Sequence, residues 1–256
     1  MGRIKRAASL LLAVVLALLL PASFCAAEPI KTTPTRWSFH LPLPDGVTGA
    51  ESLAFDRRGQ GPYAGVSDGR VLKWAQVLAT QAADGVPFHF VNGLDVDQAT
   101  GDIMMNADAT GRLLKYDART KQVTVLKADL PYPNGVAVST DRTHVVVAHT
   151  VPCQAFRYWL KGPKAGQYEL LADLPGYPDN VRRNTRGGYW VALNQEKARL
   201  DTTAPPMKHL VGVRLGVDGT TVEELTAAKG VTLSDVSEKD GQLWLGSVEL
   251  DYVGLA

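Results

Sequence analysis

The chain has 256 residues, with 27 basic against 26 acidic side chains, two cysteines and 45% hydrophobic residues. Balanced charge with no basic run excludes a nucleic-acid binder, which needs clustered Lys and Arg to displace counterions. A chain of this size buries a proper core as one domain.

Residues 1–27 read as a secretory signal. Arg3, Lys5 and Arg6 give the positive start, Ala7 to Leu20 is apolar apart from Ser9, and cleavage is expected after Ala27. As a helix, those 14 residues span about 21 Å, short of the roughly 30 Å hydrocarbon core, so no membrane association is expected after removal. The mature chain then carries 24 basic and 26 acidic residues, and Cys153 has no intrachain partner. Residues 28–256 read as a single domain without a linker or low-complexity tract, and 194–210, with Pro205-Pro206, is its one long excursion.

Along that domain a short phrase recurs. Glu51-Ser-Leu-Ala-Phe-Asp56 is followed by Asn92-Gly-Leu-Asp-Val-Asp97, Asn134-Gly-Val-Ala-Val-Ser139 and Asp179-Asn-Val-Arg-Arg-Asn184. The spacings are 41, 42 and 45 residues, and a fifth phrase, Ser234-Asp-Val-Ser-Glu-Lys239, comes 55 residues later. After each donor phrase comes a polar turn and a second apolar run, such as Gly188-Tyr-Trp-Val-Ala-Leu. A third run closes in a basic–aromatic pair: Lys73-Trp74, Lys115-Tyr116, Arg157-Tyr158. A fourth apolar run then leads through a Pro-containing turn to the next donor. Four short strands at a period of roughly 40–50 residues predict an all-β propeller. An oxygen donor at one point of each unit predicts ligands aimed at a common axis. One Asn-Gly is ordinary turn chemistry, but four donors in phase are not.

These phrases resemble the plant strictosidine-synthase-like family. The specific segments are Thr110-Gly-Arg-Leu-Leu-Lys-Tyr-Asp117, Tyr158-Trp-Leu-Lys-Gly-Pro-Lys-Ala-Gly166 and Leu174-Pro-Gly-Tyr-Pro-Asp-Asn180, and the resemblance covers residues 45–254. It implies a propeller of the six-bladed type, related to calcium-dependent hydrolases of the paraoxonase and gluconolactonase kind. It also implies an axial calcium held by Glu51, Asn92, Asn134 and Asp179, with Asn180 as a fifth donor. The chemistry agrees, since calcium takes 6–8 hard oxygen ligands.

The chain departs from the family twice. One blade fills the 41 residues from Glu51 to Asn92, where the family carries one more, so about five blades are expected. Ser234 stands where a synthase places its acid/base glutamate, and a hydroxyl does not carry that proton near neutral pH. Glu238 lies four residues on, about 13 Å along a strand. The leading expectation is therefore a calcium-dependent hydrolase of lactones or esters acting on a small-molecule substrate. By resemblance it would be routed to the vacuole, with the extracellular space or endoplasmic reticulum lumen as alternatives. Two rivals stay open: an amine–aldehyde condensing enzyme, and a non-catalytic scaffold or inactive shortened form. No catalytic residue is assigned. His89 is a candidate base and His149 reads as a half-buried strand residue. Arg182 or Arg183 pairs with an acid or binds a substrate carboxylate, and Trp74, Tyr116, Tyr158 and Trp159 read as packing between sheets.

Overall fold

Runs of valine, leucine and isoleucine cut by Gly, Pro and Asp leave only short extended segments, and strands are the only regular elements among the described residues. The computed structural model describes residues 50–66, 68–73, 76–89, 91–107, 111–197, 209–239, 241–247 and 254–256. The expected signal at 1–27, Trp74 and positions 198–208 of the long excursion lie outside these.

Among the described residues, nineteen strands form five antiparallel sheets. Blade one holds β1 (Ala50–Ala54), β2 (Tyr63–Val66), β3 (Val71–Lys73) and β4 (Gln76–Ala79). Blade two holds β5 (Val91–Val96), β6 (Ile103–Ala107), β7 (Arg112–Tyr116) and β8 (Val123–Lys127). Blade three holds β9 (Pro133–Val138), β10 (His144–His149), β11 (Gln154–Trp159) and β12 (Tyr168–Asp173). Blade four holds β13 (Gly176–Arg183), β14 (Tyr189–Glu196), β15 (Leu210–Leu215) and β16 (Thr221–Thr226). Blade five has three strands, β17 (Asp235–Lys239), β18 (Gln242–Gly246) and β19 (Gly254–Leu255). Sequence order is sheet order in every blade, so each chain segment folds back on its neighbour.

Burial grades outward from the first strands. In β10 all six residues, His144-Val-Val-Val-Ala-His149, are buried, which is why that run shows no polar alternation. Each buried valine there contributes about 1.5–3 kcal/mol. The last strands, β4, β12 and β16, are largely half-buried or exposed, as outer edges must be.

Side-chain alternation distributes each sheet between its two neighbours. Tyr189, Val191 and Leu193 face blade three, while Trp190 and Ala192, one residue out of phase, face blade five. Four such clusters join blades one to two, two to three, three to four and four to five. The first strands β1, β5, β9, β13 and β17 touch in that succession. Among the described residues no cluster joins blade five to blade one. Ala64, Val66 and Leu72, on the far face of blade one, form a small cluster of their own. Five blades thus stand in series, as the 41-residue spacing predicts.

Candidate metal centre at the inner-strand bulges

The recurring donor phrase is a recurring β-bulge. In blade two, Val91 pairs with Ala107 and Leu94 with Met105, so Asn92 and Gly93 oppose the single residue Asn106. In blade three, Asn134 and Gly135 oppose Ala148. In blade four, Asp179 and Asn180 oppose Ala192. In blade one, Ala50 pairs with Val66 and Ser52 with Gly65, which leaves Glu51 as the extra residue. A bulge releases a residue from the ladder and can re-aim its side chain, and the four donor positions share this one backbone irregularity. The fifth phrase lacks it: β17 pairs with β18 in unbroken register from Asp235 to Lys239.

The glycine after each asparagine lets successive bulges approach. A Cβ on Gly93 would lie 2.3 Å from the Asn134 carbonyl oxygen. One on Gly135 would lie 2.4 Å from both the Asp179 oxygen and the Val181 nitrogen. The glycines therefore set the contact between neighbouring first strands.

The donors are anchored through their neighbours. Asn106 is fully buried; its Oδ1 accepts from the Gly93 N–H at 2.9 Å and its Nδ2 donates to the Asn134 carbonyl. Asn134 Nδ2 donates to Thr150 Oγ1 at 3.1 Å, and that hydroxyl donates to the Pro178 carbonyl at 2.8 Å. With its amino group so engaged, Asn134 leaves Oδ1 buried without a hydrogen-bond donor, and Asn92 Oδ1 is in the same state. Each buried unmet acceptor costs about 1–3 kcal/mol. Asp179 adds a buried carboxylate oxygen on the next strand. Amide and carboxylate oxygens are the donor types a hard cation takes. Asn180 is buried beside it, with its N–H on the Ser234 carbonyl at 3.0 Å. The Glu51 side chain lies outside what is described.

Several carboxylates of the first strands already have partners. Asp235 takes Arg182 in a fork at 2.7 to 3.1 Å. Pairing with an acid, the commoner fate for such an arginine, is thus the one that holds for Arg182. Asp95 accepts from the Val138 N–H at 2.9 Å, and burial pushes its carboxyl up while Arg183 and Arg182 pull it down. Glu238 accepts from Thr185 and from the Trp190 indole, which ties it to blade four.

Two histidine readings are refined. His149 is fully buried, not half-buried, because Pro131 O at 2.6 Å and the Tyr168 hydroxyl satisfy both ring nitrogens. Burial holds it below the usual histidine range. His89 is exposed on the connection between β4 and β5. Cys153 is buried, and burial raises its thiol. Tyr116 and Tyr158 pack between sheets as expected. Trp159 packs on the buried His144 ring at 5.1 Å between centroids, with Arg157 and Lys164 over it. Three further clefts, of about 280, 310 and 150 Å³, lie between blades, and Asn92 and Asn134 line none of them.

Sequence reasoning did not single out Asn106 and Thr150. Asn106 had a visible signal, since a lone amide interrupts the apolar run of β6 where blades three and four carry alanine.

The strictosidine synthase family model matches residues 94–163. Strictosidine synthase-like 10 of Arabidopsis thaliana is 32% identical, with 82% of this chain and 85% of that one covered. Strictosidine synthase-like 2 of the same plant is 29% identical, over 85% of this chain and 89% of that one. The first alignment runs over 320 positions yet takes in only about 210 residues here, so about 110 positions of the relative have no counterpart. That loss is enough for at least one blade at roughly 40–50 residues each. Among solved structures, a gluconolactonase of Xanthomonas campestris superposes with a TM-score of 0.58 at 14% identity. That superposition covers 90% of this chain and 95% of the other, and at that identity it speaks for the propeller fold alone.

Proposed function

Because the chain belongs to the strictosidine synthase-like family, we propose that it is a calcium-dependent hydrolase of lactones or esters. The observation that carries this is the pair of buried amide oxygens, Asn92 Oδ1 and Asn134 Oδ1, at equivalent bulges of adjacent strands. Asp179 at the next bulge supplies negative charge, and Glu51 at the first completes the proposed ligand set, with Asn180 alongside. When bound, calcium supplies a Lewis acid for a carbonyl oxygen and lowers the pKa of a coordinated water.

The chain's own residues do the positioning. Thr150 engages the Asn134 amino group, which leaves the amide oxygen as the group open to a cation. Asn106 fixes the backbone of two bulges at once. Lactone or ester substrates are the class proposed because a gluconolactonase is built on the same propeller fold. Ser234 argues against amine–aldehyde condensation, because a serine hydroxyl does not act as a general acid or base near neutral pH. Passage through the secretory pathway on residues 1–27, to the vacuole, belongs to the same proposal.

The test is hydrolysis of 4-nitrophenyl acetate and a simple δ-lactone by the full mature chain. Turnover should vanish on chelation and return with calcium. Turnover indifferent to chelator, or none above buffer, contradicts the proposal, and condensation of an amine with an aldehyde would favour the synthase rival.

A further inference from the structure

Ten large apolar residues of the described chain are well exposed, and three of them gather at the donor end of the blades. Tyr132 is 67% exposed, Val151 57% and Tyr177 37%. Tyr132 stands two residues before Asn134, Tyr177 two before Asp179, and Val151 follows Thr150. Most of the others are scattered. Val77, Leu170 and Val222 lie on outermost strands, and Phe55 and Val217 lie in turns at the opposite end.

Thr150 ties the three carriers together. Its N–H donates to the Tyr132 carbonyl at 3.1 Å, and its hydroxyl donates to the carbonyl of Pro178, next to Tyr177. The peptide ahead of Tyr132 is fixed as well, because Pro131 O meets His149 Nδ1 at 2.6 Å. Tyr132 holds φ 49°, a left-handed conformation that bulky side chains rarely adopt. An exposed aromatic is thus kept on a pinned, sterically disfavoured backbone, where glycine or asparagine would fit more easily. Rigid aromatics on a fixed frame lose little entropy on binding, which makes them effective anchors.

Building on the hydrolase reading, we infer that Tyr132, Val151 and Tyr177 bind the apolar body of the substrate, so that the preferred ester or lactone carries an aromatic or branched group. Continuity with the donors argues for this occupant: Tyr132 and Tyr177 each stand two residues ahead of a proposed donor, Asn134 and Asp179, and Val151 follows the Thr150 that holds Asn134. Small hydrophilic lactones would leave the patch wet and gain nothing from it.

Two measurements on the full mature chain separate this from the hydrolase reading. The first needs no reaction: saturation-transfer NMR with 4-phenylbutan-2-one, a ketone without a scissile bond, on chelator-treated protein. Transfer to the ring protons should fall at least fivefold in Tyr132→Asn/Tyr177→Ser, and also in Val151→Ser, but not in Val217→Ser at the other end. Asparagine tolerates the backbone at 132, which guards against misfolding. No transfer to the wild-type chain, or equal transfer to the variants, overturns the inference. So does sedimentation showing dimers that the double variant dissolves, because the patch would then serve a second copy. The second measurement compares 4-nitrophenyl phenylacetate with 4-nitrophenyl acetate. Selectivity for the phenylacetate, as a ratio of kcat/KM, should drop at least tenfold in the double variant, and an unchanged ratio overturns the assignment. Ring binding without hydrolysis of either ester would sink the hydrolase reading and leave the apolar rim standing.

Discussion

Replacing Asn106 with alanine should lower the unfolding free energy by about 3 kcal/mol and weaken calcium binding at least tenfold. Asn106 is fully buried, and its two amide atoms serve two backbone groups on adjacent first strands, the Gly93 N–H and the Asn134 carbonyl. Truncation leaves both buried and unmet, at about 1–3 kcal/mol each. Because those groups belong to the bulges that carry Asn92 and Asn134, the same change loosens both proposed ligands. Urea denaturation and calorimetric calcium titration read the two effects. A loss below about 1 kcal/mol would show that the amide is not holding the bulges together.

The second large effect is on acid stability. His144 is 8% exposed, between Thr143 Oγ1 and the Tyr189 hydroxyl, each at 2.9 Å. Burial first, then nearby Arg157, lowers its pKa to about 4, with Asp141 and Glu169 partly opposing them. The unfolded chain takes up this proton near pH 6.5, so below that pH it binds more protons than the folded chain. Stability should therefore fall as pH drops from about 6.5 towards 4, by about 2 kcal/mol at pH 5 from this residue alone. His149 acts in the same direction. Asp95, raised by burial, works against them at lower pH. In urea denaturation at pH 7 and pH 5, His144→Gln should show a smaller drop than the wild type by about 2 kcal/mol. Equal drops would mean that His144 is charged in the folded chain.

The blade pattern was legible because its causes are local. Gly and Pro turns, apolar runs of strand length and the basic–aromatic close of the third run in the first three units all lie within one 40-residue unit. The bulge positions Asn92 and Asn134 were marked for the same reason, since each Asn-Gly pair lies within one unit. What holds the donors was not legible. Thr150 reaches Asn134 over 16 residues and Pro178 over 28, and Asn106 reaches Asn134 over 28. Such partners depend on where two blades meet, which periodicity alone does not specify. His149 was misjudged for a related reason. A histidine ending an apolar run looks half-exposed until Tyr168, 19 residues on, closes over it.

Calorimetric titration of calcium into the chelator-treated mature chain, with Asn134→Ala alongside, is the most direct check on the bulge-borne centre. The wild type should bind with a stoichiometry near one, and the variant at least tenfold more weakly. Absence of binding by the wild type, or the same affinity in both proteins, would contradict it.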